Sequence, residues 1–104
     1  MGLFGNLYMM VKEIREKRSM DRTVQIFKEN KGNELYWQQL IELIAQAQHW
    51  GLVKQQCLLA GRERGFDMAA ENEQKMLECL DRIEKEVGID EKELKRRIDK
   101  VLGR

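Results

Sequence analysis

Between Leu35 and Ala60 only two side chains carry charge, Glu42 and Lys54, in a chain that is 36% charged overall. The same stretch holds both tryptophans, Trp37 and Trp50, and six glutamines, at positions 38, 39, 46, 48, 55 and 56. So long a run without charge is expected to be hidden from water, because removing apolar surface from water is the main favourable term in folding and in association. It belongs either to the fold's own core or to a surface that a partner covers, and both readings stand at the level of sequence.

The local pattern is helical. Apolar residues recur at three and four positions and never alternate over a sustained run. The chain contains no proline, and its eight glycines fall mostly between the periodic segments. Six segments follow. The first, 3–17, lines up Leu3, Leu7, Met10, Val11 and Ile14. The second, 20–30, brings Val24 and Phe27 together, and Lys31-Gly32-Asn33 breaks it. Asn33 reads as an N-cap for the third segment, which runs to about His49. Gly51 either makes a turn before a fourth segment, 52–63, which is the favoured reading, or sits inside one long helix continuing to Ala60, since a single glycine costs a helix only ~1 kcal/mol. Asp67 reads as the cap of a fifth segment, 68–87, and Gly88 as its left-handed end. Asp90 with Glu93 forms a capping box for the last helix. The expected fold is all-α: a compact bundle of five or six short-to-medium helices with a central helical hairpin over 34–61. All 104 residues are expected to form a single helical domain, 1–104.

Charge and cysteine usage exclude several functions. The net charge is +1, so no overall field favours nucleic acid or an anionic membrane. Segment 67–87 has seven acids against three bases, while 1–33 and 88–104 are net basic, so the acidic fifth segment is expected between two basic ends. The N-terminal apolar run has no basic leader before it and no small-residue cleavage site after it. No run reaches the ~18–20 apolar residues of a membrane span, and a cytoplasmic protein is expected. Cys57 and Cys79 read as free buried thiols, and with His49 they lack the paired spacing of a metal site. His49 reads as a cap at a helix end. No phosphate-cradling loop, paired-carboxylate motif or activated nucleophile is present, so neither an enzyme nor a cofactor is expected.

The leading expectation is a non-enzymatic helical module for protein–protein interaction, or an assembly subunit. It would associate with itself, as a homodimer or larger, or with another helical protein. Interface cores are depleted in charge and enriched in aromatics, which points to Tyr36, Trp37, Gln38, Leu40 and Trp50. The apolar N-terminal residues Leu3, Phe4 and Leu7 are candidates for the same surface. The alternative is a small nucleic-acid-binding regulator. Residues 43–64 have a small–glycine–apolar spacing, Ala47, Gly51 and Cys57, like that of a helix–turn–helix. Lys54, Gln55, Arg62 and Arg64 would then face DNA. Few bases are present there to neutralise phosphates, so this reading is the weaker.

Overall fold

A computed structural model describes residues 18–104, and all regular structure among them is helical. Four helices follow in order: α1 (18–29), α2 (Glu34–Leu59), α3 (Glu63–Glu86) and α4 (Glu91–Val101). Helices α2 and α3 pack against each other as the central hairpin. The first sequence segment, with Leu3, Phe4 and Leu7, lies outside the described residues.

The turns are where the local chemistry places them. Asn33 caps α2 by accepting a hydrogen bond from the Tyr36 backbone N–H at 3.0 Å. Asp90 caps α4 in the same way, accepting from the Glu93 N–H at 3.2 Å. Gly88 has φ +88° and donates back to the Ile83 carbonyl at 3.0 Å, which closes α3 in the left-handed conformation that a side chain rarely adopts.

Three expectations fail, each for a local reason. Gly51 is not a turn, and the third and fourth segments are one unbroken helix of 26 residues. The glycine faces the end of the Glu73 side chain across the hairpin. A Cβ at Gly51 would lie 2.5 Å from Glu73 Oε2, and Lys54 Nζ holds the same carboxylate at 2.6 Å. A single glycine costs a helix only ~1 kcal/mol, so it does not break α2. Second, Asp67 is not a cap: α3 starts at Glu63, close after a turn at Gly61, whose φ is +68°. Third, the hairpin is not folded within 34–61. It is built from α2 and α3.

One core cluster holds the fold. Val24 and Phe27 from α1, Tyr36, Trp37 and Leu40 from α2, and Cys79, Ile83 and Val87 from the end of α3 are all buried. Leu94 of α4 packs against them. The rings of Phe27, Tyr36 and Trp37 meet edge to face, with successive centroids 5.7 and 4.9 Å apart. The Tyr36 hydroxyl donates to the Gly88 carbonyl at 3.0 Å and so ties the start of α2 to the end of α3.

This cluster occupies one end of the hairpin only. The described helices α1 and α4 both flank the end that holds Asn33 and Val87, and charged groups fasten them there. Arg82 of α3 bonds Asp21 at 2.6 Å, and Lys28 of α1 reaches Glu86 at 3.3 Å. The basic region around α1 does therefore meet the acidic α3. The basic face of α4 goes elsewhere, since Arg97 pairs with Glu34 of α2 at 3.0 Å. We call the capped end proximal and the end at Gly61 distal.

Candidate protein-interaction surface

The structure divides the expected interface residues. Tyr36, Trp37 and Leu40 are 2, 6 and 0% exposed, so they belong to the core of this chain and are not open to a partner. Trp37 is covered by α4: the Arg97 guanidinium lies 5.0 Å over its ring while bonding Glu34 and Glu93. These bonds hold the carboxyls of both acids below their ordinary range, that of Glu93 down to about 2, with Arg96 the larger contributor there. Trp50 is half-buried, with its ring edge-on to His49. Gln38 is exposed. His49 is exposed in the middle of α2 and caps no helix end.

A different surface emerges from the unbroken course of α2. Its inward side carries Tyr36, Leu40 and Ala47, the residues buried against the rest of the fold. Its outward side carries Gln38, Ile41, Ala45, Gln48, Leu52, Gln55 and Leu59, at alternating steps of three and four. That spacing keeps a seam on one face of a helix, as the a and d positions of a coiled coil do. No member is charged. Ile41 is half-buried and the other six are exposed, Leu52 by 61% and Leu59 by 89%. Leu58 (66% exposed) borders the seam near the tip, and Met68 of α3 (54%) is also open there. Large apolar side chains that cluster in the open mark interaction sites more often than scattered single ones do.

The seam was hard to see in the sequence because four of its seven members are glutamine or alanine. With a turn placed at Gly51, it was also cut in two. Its signal in the sequence is a three-four spacing of uncharged residues in which Gln and Ala count as members.

At its proximal end the seam runs into a groove. Trp37, Gln38 and Ile41 form one wall, and Arg97, Lys100 and Val101 of α4 form the other, enclosing ≈ 370 Å³. Val101 and Leu102 are themselves 70 and 58% exposed. The groove is therefore lined by aliphatic and aromatic carbon below and rimmed by the bases of α4.

The helix–turn–helix expected over 43–64 is absent, because α2 passes straight through it. Lys54 is engaged across the hairpin with Glu73 and does not project as a phosphate contact. Gln55 belongs to the outer seam. Arg62 and Arg64 are exposed at the hairpin tip, on either side of Glu63.

Cys57 and Cys79 are free thiols, and burial pushes the Cys79 thiol up, away from the thiolate that a nucleophile needs. Cys57 and His49 lie on one helix about 12 Å apart along its axis, too far for the histidine to act as its base. Among the described residues no group of three or more His, Cys, Asp or Glu side chains is placed to hold a metal ion. No helix among them is long and apolar enough to cross a membrane. Helix α2 has the length, but its glutamines keep it too polar for hydrocarbon.

No family model matches the chain, and no similar protein was found among curated sequences or solved structures.

Proposed function

We propose that this protein is a non-enzymatic helical interaction module that associates with itself, the contact being the outer face of α2. The observation that carries this reading is the exposed, uncharged seam from Ile41 to Leu59. Water-facing helix surfaces ordinarily carry charge, and this chain has charge in plenty on α3 and α4. On α2 only Glu34, Glu42 and Lys54 carry charge, and so sparing a use of charge on the exposed side of a long helix is economical only if that side meets another apolar surface. Glutamine suits the position, since it tolerates partial burial at lower cost than Glu or Lys and still bonds water in the free protein. With neither a catalytic cluster nor a metal-ligating group among the described residues, the seam is the principal chemical feature left to account for.

Sedimentation equilibrium over a wide concentration range tests this directly. The expected mass rises from 12.4 kDa towards twice that value as concentration increases. Changing Leu52 and Leu59 together to lysine returns the protein to the monomer without loss of helix signal, because both side chains are exposed in the single chain. A wild-type protein that stays at 12.4 kDa at every concentration sinks the reading.

A further inference from the structure

We infer that two copies of this chain pair antiparallel along the outer face of α2, with the two-fold axis crossing the helices at the level of residue 50. This rests on the proposed self-association and deepens it by fixing direction and register.

The seam is self-complementary when one copy is reversed. Antiparallel helices set a positions of one against d positions of the other. Reversal about Trp50 then places Ile41 against Leu59 of the second copy, Ala45 against Gln55, and Gln48 against Leu52. By symmetry each layer occurs twice. Every long side chain meets a shorter or apolar one. A parallel pair in register instead stacks Gln48 on Gln48, Gln55 on Gln55 and Ala45 on Ala45, leaving facing amides and a gap at the alanine.

The flanks agree. Along one edge of the seam the reversal sets Ile44 against Leu58 of the second copy. Along the other it sets Glu42, the one charged residue of that edge, opposite Gln56, an uncharged amide able to donate to it. The groove between α2 and α4 supplies the end of the contact. Leu59 is the most exposed large apolar side chain among the described residues, and the reversed copy delivers it to the groove beside Ile41 and Val101. A groove of ≈ 370 Å³ has room for a leucine side chain.

Charge decides against the parallel arrangement. It would bring the two α4 ends together, with Arg96 and Lys100 of each copy converging. The antiparallel pair separates them and sets each against a hairpin tip whose charges, Arg62, Glu63, Arg64 and Asp67, are mixed in sign. The strip from Ile41 to Leu59 is about 27 Å long on a helix about 10 Å across. Widened by Leu58 and the end of α4, it lies near the ~1,000 Å² total at which specific interfaces begin, which fits a reversible dimer.

The distance between hairpin tips tests the direction. A spin label is placed on Glu63→Cys, a site at the tip and off the seam, in a Cys57→Ser background. Cys79 is buried and resists labelling. Pulsed electron spin resonance on the full chain, at a concentration where sedimentation shows dimer, is expected to give a tip-to-tip distance of about 30 Å or more. A distance under about 20 Å means the tips lie side by side. That overturns the antiparallel pairing and leaves self-association through this face intact. The Leu59→Lys and Val101→Lys variants, each checked for unchanged helix signal, are expected to weaken the dimer at least tenfold. If both dimerise as the wild type does, the groove contact is wrong. If the wild type shows only monomer, both the pairing and the underlying reading fall.

Discussion

The two ends of the α2–α3 hairpin are made from similar residues and have opposite fates. At the proximal end, Tyr36, Leu40, Ile83 and Val87 are at most 7% exposed. At the distal end, Leu52, Leu58, Leu59 and Met68 are 54 to 89% exposed. Both halves of α2 are poor in charge, so composition does not separate them. The difference lies in the number of neighbours. The proximal half is flanked by α1 on one side and α4 on the other, and ion pairs at Arg82 and Arg97 fasten both helices. Among the described residues, the distal half has only the partner helix of its own hairpin. One helix can cover only one face of another, so an apolar residue on the far face is buried only if a further element arrives. The proximal half holds the core cluster, and on the proposed reading the outer seam that runs on into the distal half is what meets a second copy.

The comparison can be broken most forcefully at the proximal end. Leu40→Ala removes a fully buried side chain from the middle of the cluster and is expected to cost about 2–5 kcal/mol in denaturant unfolding. A loss as small as that of a surface substitution would show that this end is not the core. Tyr36→Phe deletes only the hydroxyl bond to the Gly88 carbonyl and is expected to cost about 0.5–1.5 kcal/mol. Asn33→Ala removes the cap and is expected to cost about 1 kcal/mol, read in the same way.

The attachment of α4 gives a smaller, pH-dependent effect. The Arg96 and Arg97 bonds hold the Glu93 carboxyl at about 2, below its ordinary 4.5, and Arg97 also lowers that of Glu34. A lowered acid stabilises the fold fully above its ordinary value and loses that contribution as pH falls towards its folded value. Melting temperature is therefore expected to fall between about pH 4.5 and pH 2, less steeply in Arg97→Gln than in the wild type. Because these groups are exposed, the difference should shrink in high salt. Equal slopes for the two proteins would mean the pairs contribute nothing. The smallest effect on stability sharpens the contrast with Leu40. Leu52→Ser, measured on the monomer at low concentration, is expected to change stability by less than about 0.5 kcal/mol, because among the described residues that side chain is 61% exposed.

Much of this was legible in the sequence, and the misses share a cause. The caps at Asn33 and Asp90 and the left-handed end at Gly88 were readable because each is set by bonds within a few residues. So was the second segment, where Val24 and Phe27 share a face. Gly51 was not legible because a glycine costs a helix only ~1 kcal/mol, so nothing local separates one inside a helix from one at a turn. Asp67 misled because a good capping residue inside a helix looks the same as one at its start. Tyr36, Trp37 and Leu40 lie in a stretch whose low charge marks a core and a contact surface alike. Their packing assigns them to the core, Trp37 under Arg97 of α4, and Tyr36 and Leu40 in the cluster with Phe27 and Ile83. The outer seam was hidden by the same ambiguity, since two uncharged stripes on opposite faces of one helix blur each other's period.

Hydrogen–deuterium exchange, followed by mass spectrometry at two protein concentrations, tests the contrast between the two ends most directly. Peptides from the proximal part of α2, around 34–40, are expected to be strongly protected at both concentrations. Peptides covering 45–59 are expected to exchange faster in the dilute sample and to gain protection in the concentrated one, as the second copy covers the distal seam. Equal protection of the two halves, unchanged by concentration, would contradict the account.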